Sequence, residues 1–354
     1  MSLQAYASRV RFMLWLSLLL ATRANAQDNS VHRDVKVDFG FRDSVPMWMT
    51  ERHVPTTAIA TIEGGKVKDV RVFGTFDHGK PAPRNALFNV ASLTKPIVAL
   101  TVLKLVDAGR WDLDAPLSQF WIDPDIRDDP RHKKLTTRII LSHQTGFPNW
   151  RGSKKLAFTA DPGSVYGYSG EGFEYLRRAV EKKFGRTLQQ LSDSVLFKPV
   201  GMTATNYGWN ARLDASRFAE AHDSNGAKIT EPRLTTANAA DWLVTTIDDY
   251  ARFAAFMANG AGLSPALFTE MVKTQAAVNA KNNEFMGLGW EVFRDLSNGE
   301  YLLLHTGKDN GVATLVVVLP QSGRGLVVFT NGEKGMDVML RVLKSTLHVK
   351  ELTP

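Results

Sequence analysis

The chain has 354 residues, of which 44% are apolar and 22% are charged, a balance typical of soluble globular proteins. This length is sufficient for one large domain or two interleaved lobes. The composition therefore excludes a disordered or repetitive chain, and the lack of cysteine excludes disulfides and thiolate chemistry.

The first 26 residues have the pattern of a cleaved signal peptide. Arg9 and Arg11 precede an apolar run from Phe12 to Leu20, and Ala24-Asn25-Ala26 forms an A-x-A cleavage site. The run is shorter than a helix needs to span a bilayer, although an uncleaved membrane anchor is the alternative. We predict cleavage after Ala26, export to the periplasm or the medium, and no stable membrane anchor afterwards.

The charge of the mature chain is mildly basic. Removal of residues 1–26 takes away three arginines, so the formal net charge falls from +7 to +4. Lysine and arginine residues do not form runs interleaved with aromatic residues. We therefore expect no nucleic-acid partner.

The first regular structure that the sequence predicts is a β-hairpin. Residues 27–50 are polar and read as an irregular surface segment. The alternating apolar residues that follow are Ala58, Ala60 and Ile62 on one side of Gly64-Gly65, and Val67, Val70 and Val72 on the other. A Gly-Gly pair between two such runs is typical of a hairpin turn.

A helical pattern begins at Ser92. Its apolar face comprises Ile97, Leu100, Val102, Leu103 and Val106, and Gly109 is suited to end the helix. Residues 111–290 read as short helices with many loops. Within them, Thr246 and Asp249 form a capping box before a helix over Tyr250–Met257.

The chain returns to strands near its end. The segments YLLLHTG, GVATLVVVLP and RGLVVFTNG are rich in Val and Leu, and an amphipathic helix follows over about residues 334–349. Strands at both ends predict an α/β fold of the α+β type, in which N- and C-terminal segments form one antiparallel sheet flanked by helices.

This pattern also predicts how the mature chain, residues 27–354, is organised. We expect a single domain with a sheet lobe at about residues 50–90 and 285–354. A mostly helical lobe at about residues 91–284 is inserted into it. A functional site is expected in the cleft between the two lobes.

Ser92 and Lys95 are the first candidate site residues. Positions i and i+3 lie on one face of a helix, so the hydroxyl and the amine can be neighbours. The helix N-terminus favours developing negative charge at Ser92, and a desolvated lysine can act as a base. The alternative is a capping serine beside an exposed lysine.

Tyr168 and His305 are further candidates. A tyrosine near a lysine can serve as a general acid or base, although a half-buried loop aromatic is the simpler interpretation of Tyr168. His305 ends a strand and could bond the Tyr168 oxygen or offer charge to a substrate carboxylate. An ordinary strand-end histidine is the alternative there.

Together these residues resemble the motifs of penicillin-recognising serine hydrolases. The three motifs are Ser92-Leu93-Thr94-Lys95, Tyr168-Ser169-Gly170 and His305-Thr306-Gly307. The connecting segments GRWDLDAPLSQF, LSHQTGFPNW, KPVGMTAT and TTIDDYARFAAFMANG are also similar in order and spacing. The subgroup is that of class C β-lactamases, D-alanyl-D-alanine carboxypeptidases, D-aminopeptidases and family VIII esterases. The resemblance covers about residues 50–335.

The resemblance implies a β-lactamase/transpeptidase-like fold and a role for each motif. Ser92 would be the acylated nucleophile, Lys95 would assist its deprotonation, and Tyr168 would pass the proton to the leaving group and later activate water. The oxyanion hole would use the backbone N–H of Ser92 and that of a residue near Lys308 or Asp309. The strand that carries His305, Thr306 and Gly307 would pair with an extended substrate.

The sequence departs from the family's pattern at two positions. The second motif usually ends in Asn, whose side chain contacts a substrate amide and the lysine, but this chain has Gly170. Glu171 follows and is a second candidate contact of Lys95. The third motif begins with His305, which is typical of carboxypeptidase-like, aminopeptidase-like and esterase members, whereas true β-lactamases usually have Lys.

Other sites have weaker support in the sequence. Gly167–Glu171 nearly fits the G-x-S-x-G nucleophile elbow, with Ser169 as nucleophile, but lacks the last glycine and the preceding buried strand. The eight histidines are scattered, so we expect no metal and no cofactor, and we interpret His143 as a structural hydrogen-bonding residue.

We therefore predict a periplasmic or secreted serine hydrolase that acts through a Ser92 acyl-enzyme. Its substrate is a small molecule or peptide: an ester, a D-amino-acid peptide or a β-lactam. Gly170 and His305 favour an esterase or peptidase over a β-lactamase. The alternative is a catalytically weak relative that binds cell-wall peptide or a partner.

Overall fold

The computed structural model describes residue 40 and residues 42–76, 79–349 and 352. The predicted signal peptide and its cleavage site at Ala26 lie outside the described residues. Within the described part, no helix has the length and apolar character needed to span a membrane.

An eight-stranded antiparallel sheet forms the centre of the fold, in the order β2-β1-β11-β10-β9-β8-β7-β6. Its strands are β1 (Thr56–Glu63), β2 (Lys66–Gly74), β6 (Ala276–Asn279), β7 (Glu284–Met286), β8 (Glu291–Phe293), β9 (Leu302–Asp309), β10 (Val312–Leu319) and β11 (Arg324–Thr330). A second sheet, in the order β3-β5-β4, comprises β3 (Leu87–Asn89), β4 (Asn206–Tyr207) and β5 (Leu243–Thr246).

The pairing of the two chain ends confirms the predicted sheet. β1 lies antiparallel to β11, with Ile59 opposite Val328. β1 and β2 are joined at Gly64 and Gly65, whose φ angles of 57° and 70° are those of a tight hairpin turn. The N-terminal hairpin is therefore an integral part of the sheet completed by the last strand.

The described α-helices lie before, between and after these strands. They are α1 (Val45–Arg52), α2 (Thr94–Asp107), α3 (Thr137–Leu141), α4 (Gly170–Phe184), α5 (Leu188–Ser192), α6 (Lys198–Val200), α7 (Ile247–Ala258), α8 (Pro265–Val272) and α9 (Gly335–Thr346). A short 3-10 turn, Ala91–Leu93, directly precedes α2.

Three details differ from the sequence-based expectation. Helix α1 lies partly within residues 27–50, because Pro46 is suited to a first helical turn and Val45 and Met49 are buried one turn apart. The chain returns to the large sheet at β6, before residue 285. Thr246 does cap α7, but the Asp249 carboxylate accepts bonds from Ala204 and Thr205 and so does not complete the capping box.

The apolar core is divided by the large sheet. One cluster lies between the sheet and the inserted segment and includes Phe253, Trp290 and Phe329. A second cluster lies on the other face, under α1 and α9. Helix α2 is buried along most of its length in the first cluster, so the turn at its start is held by packing on several sides.

Candidate active site

The turn that carries Ser92 is fixed by hydrogen bonds to its neighbours. Asn89 Oδ1 accepts a bond of 2.9 Å from the Ala91 amide, and Ala91 has a φ of 48°. The buried Tyr250 hydroxyl donates to the Leu93 carbonyl at 2.8 Å. Ser92 is partly exposed while both of its neighbours are buried, so its hydroxyl is the accessible group of a rigid turn.

Lys95 is buried beside Ser92. Its side chain is 1% exposed, and Nζ donates to Ser92 Oγ at 3.1 Å and to the Ala240 carbonyl at 2.8 Å. No side-chain cap bond is formed at the start of the Ala91–Leu93 turn or of α2. The alternative of a capping serine beside an exposed lysine is therefore wrong.

Tyr168 covers the same amine. Lys95 Nζ lies 4.6 Å from the centroid of the Tyr168 ring and 5.7 Å from that of Phe173. The structure thus brings Ser92, Lys95 and Tyr168 into one cluster, although Tyr168 lies 73 residues from Lys95 in the sequence.

His143 holds the loop that carries Tyr168. Its carbonyl accepts a bond of 2.7 Å from the Gly167 amide, and its Nδ1 accepts one of 3.1 Å from the Ser169 amide. Its ring lies 4.3 Å from that of Tyr168. Burial, with the charge of Lys95 as a smaller contribution, holds the pKa of His143 well below its usual value. The interpretation of His143 as a structural hydrogen-bonding residue is confirmed.

The third motif lies on β9. Pairing with β8 involves Leu302–Leu304, so from His305 onward β9 is paired with β10 alone among the described strands. A Cβ at Gly307 would lie 2.4 Å from the Val90 carbonyl oxygen and 3.2 Å from the Ser92 nitrogen. Only glycine allows β9 to pass this close to the Ser92 amide.

His305 is uncharged at neutral pH. It is 1% exposed, and burial followed by the nearby charge of Lys95 lowers its pKa to about 3. Nδ1 lies 2.8 Å from the Thr306 carbonyl oxygen, to which it donates, and the buried Nε2 has no partner among the described residues. His305 therefore supplies no charge for a substrate carboxylate, and it does not bond the Tyr168 oxygen in this structure.

Gly170 begins α4, and its surroundings explain the missing side chain. A Cβ at Gly170 would lie 2.6 Å from Cζ2 of Trp150. Both carboxylate oxygens of Glu171 accept bonds of 2.9 Å from Arg151, one from the backbone amide and one from Nε. Glu171 is thus held by Arg151, and the suggested contact with Lys95 is not among these bonds.

Ser169 has a structural role. Its hydroxyl donates to the Pro148 carbonyl at 2.8 Å and accepts from the Gly172 amide at 3.1 Å, which caps α4. The side chain is 1% exposed. Ser169 is therefore the N-cap of a helix, and the nucleophile-elbow interpretation of Gly167–Glu171 is not supported.

Several groups of the site have no clear signal in the sequence. The Ala240 carbonyl, which accepts from Lys95, could not be identified because a backbone acceptor does not depend on residue type. Trp150 and Arg151 lie 18 and 17 residues before Tyr168 in the sequence, and only their contacts in space with Gly170 and Glu171 make them part of the site. Among the described residues, no group of three or more His, Asp or Glu side chains is arranged to hold a metal ion.

The sequence of this chain is similar to that of a known protein family and its members. The sequence profile described as Beta-lactamase matches residues 41–346. The chain is 22% identical over 338 residues to penicillin-binding protein 4* of Bacillus subtilis strain 168, a match that covers 84% of this chain and 73% of that protein.

Two solved structures show the same fold. The octameric penicillin-binding protein homologue from Pyrococcus abyssi has a TM-score of 0.74 at 20% identity, over 86% of this chain and 76% of that one. The D-alanine carboxypeptidase AmpC from Burkholderia cenocepacia has a TM-score of 0.70 at 20% identity, over 86% of this chain and 99% of that one.

The low pKa of His305 predicts a pH-dependent stability. Between its folded pKa of about 3 and the ordinary value of 6.5, the unfolded chain binds a proton at this residue that the folded chain does not. The contribution of the uncharged His305 to the free energy of unfolding is fully present above pH 6.5 and is lost as the pH falls toward 3. As the pH is lowered through this range, the free energy of unfolding of the wild type should therefore fall by up to about 1.4 kcal/mol per pH unit more than that of His305→Gln.

Urea unfolding of both proteins at several values between pH 7 and pH 4 measures this difference. Equal pH slopes for the two proteins would contradict the burial of an uncharged imidazole at this position.

Proposed function

Because the chain belongs to the β-lactamase family, we propose that it is an exported serine hydrolase with Ser92 as its nucleophile. The observation that carries this proposal is the 3.1 Å bond between the buried Lys95 Nζ and Ser92 Oγ. A lysine held by packing against a partly exposed serine hydroxyl is the arrangement that activates a nucleophile. The predicted signal peptide supports export.

In the proposed acylation step, Lys95 reacts in its uncharged form. Ser92 Oγ attacks the carbonyl carbon of the substrate and its proton passes to Lys95 Nζ. The oxyanion accepts hydrogen bonds from the Ser92 amide and from an amide just after Gly307, at Lys308 or Asp309. The Lys308 side chain does not block this region, because its Nζ pairs with Glu333 at 2.6 Å.

Tyr168 completes the proposed cycle. It passes a proton to the leaving oxygen as the bond between that oxygen and the acyl carbon breaks, which leaves the acyl group on Ser92. A water molecule then loses a proton to Tyr168 and attacks the acyl carbon. The acid is released as Lys95 Nζ returns its proton to the Ser92 oxygen, which restores the Ser92 hydroxyl. The one-sided edge of β9 beyond His305 is available to an extended substrate during both steps.

Esters are the substrate class that we favour. The uncharged His305 offers no positive charge to the carboxylate of a β-lactam or of a peptide C-terminus. Gly170 offers no side-chain amide to a substrate amide. An ester that has neither a carboxylate nor an amide needs neither a positive charge nor a side-chain amide from the protein.

Covalent labelling tests the nucleophile. A fluorophosphonate should add one adduct to the wild type by intact-mass measurement and none to Ser92→Ala. Ser169→Ala is the matched control, since Ser169 is the other serine with a motif around it. Its adduct should persist, although loss of the helix cap costs about 1 kcal/mol of stability.

An undiminished adduct on Ser92→Ala would show that the nucleophile is elsewhere. A wild type that forms no adduct would favour the second candidate function, a catalytically weak relative that binds cell-wall peptide or a partner.

A substrate panel tests the preference for esters. Turnover of p-nitrophenyl butyrate should exceed that of nitrocefin, with Ser92→Ala inactive toward both. A D-alanyl-D-alanine peptide belongs in the same panel, because His305 is also typical of carboxypeptidase-like members. Equal or faster turnover of nitrocefin than of both other substrates would overturn this ranking.

A further inference from the structure

The space beside Gly170 is filled by an aromatic ring. An ideal Cβ on Gly170 would lie 2.6, 2.7 and 2.9 Å from the Cζ2, Cη2 and Cε2 atoms of Trp150. Real side chains do not pack at such distances, so a side chain at position 170 and this indole cannot occupy their places together. Trp150 can therefore occupy this position only because residue 170 is a glycine.

The indole is held in this place by the residues on both sides of it. The Asn149 carbonyl accepts from the Gly170 and Glu171 amides, each at 3.0 Å, and Asn149 Oδ1 accepts from the Gly170 amide at 2.9 Å. On the other side, Arg151 bonds both oxygens of Glu171. The residues before and after Trp150 are therefore both hydrogen-bonded to the first turn of α4, which fixes the backbone of Trp150.

Arg151 is itself anchored at a distance from α4. Its Nη2 donates to Asp123 at 2.7 Å, and its Nη1 donates to Asp125 at 3.0 Å. Asp123 is 4% exposed and Glu171 is 7% exposed. Largely buried charge pairs of this kind resist rearrangement, because loss of one partner leaves a buried charge uncompensated. The segment 149–151 is therefore a rigid clamp on the start of α4.

This clamp accounts for the departure at Gly170 together with the residue that follows it, since Gly170 makes room for Trp150 and Glu171 holds Arg151. We propose that Trp150 determines the acyl specificity of the site by filling, with an aromatic ring, the space of the family's usual Asn side chain. The proposal rests on the proposed function and names its substrate class, carboxylic esters with apolar acyl groups that carry no amide.

The chemical reason is hydrogen-bonding capacity. An Asn side chain can donate to and accept from a substrate amide, whereas Cζ2 and Cη2 of an indole can do neither. A substrate amide desolvated against the ring would lose its bonds to water, at a cost of about 1–3 kcal/mol, or roughly fivefold to more than a hundredfold in rate. An alkyl chain has no such bonds to lose and gains contact with the ring.

Two esters with one leaving group isolate this effect. p-Nitrophenyl butyrate and the p-nitrophenyl ester of N-acetylglycine undergo the same reaction and differ in the amide of the acyl chain. The measured quantity is the ratio of kcat/KM for the N-acetylglycyl ester to that for the butyryl ester. The proteins are the wild type, Trp150→Ala, Gly170→Asn and the double variant Trp150→Ala/Gly170→Asn.

The double variant should raise this ratio by about tenfold or more, because an amide partner replaces the ring. Gly170→Asn alone should lower the melting temperature and the activity toward both esters, since the new side chain overlaps Trp150. Trp150→Ala alone should raise the ratio less, mainly by a slower reaction of the butyryl ester. Trp48→Ala is the matched control, because Trp48 is also half-buried but lies on α1, on the opposite face of the sheet, and its ratio should equal that of the wild type.

A ratio within twofold of the wild type in a folded double variant would overturn the proposal. If the double variant does not fold, an unchanged ratio in Trp150→Ala would overturn it. These failures differ from failure of the proposed function, in which the wild type shows no hydrolysis of either ester that depends on Ser92.

Discussion

The burial of the Lys95 amine is the constraint on which the rest of the site depends. An amine in the protein interior needs oxygen partners or aromatic faces in place of water. Lys95 finds the Ser92 hydroxyl, the Ala240 carbonyl and the ring of Tyr168. Ser92 is a local neighbour of Lys95, whereas Ala240 and Tyr168 come from distant parts of the chain, so the amine is enclosed only when these parts fold together.

Other residues hold the groups around Lys95 in place. His143 fixes Tyr168 by bonding the amides on either side of it, and Gly307 lets β9 pass beside the Ser92 amide. Burial keeps His143 and His305 neutral by lowering the pKa of each, and the protonated form of Lys95 adds to this effect. The result is a site with one buried basic group and uncharged imidazoles around it.

The sequence predicts those features that depend on residue type and pattern. Gly64-Gly65 marks the hairpin, the Val-rich segments mark the closing strands, and the spacing of Ser92 and Lys95 with the resemblance marks the candidate nucleophile and base. Backbone groups such as the Ala240 carbonyl carry no such signal. The role of Trp150 also could not be read from the sequence, because its meaning depends on a contact with Gly170 in space.

The rate of covalent labelling tests the dependence on Lys95 most directly. The second-order rate constant for a fluorophosphonate should fall by about a hundredfold or more in Lys95→Met, since the proposed general base is removed. Lys104→Met is the matched control on the same helix, and it should label at the wild-type rate although it loses the bond from Lys104 Nζ to the Gly262 carbonyl. A folded Lys95→Met variant that labels as fast as the wild type would contradict the account.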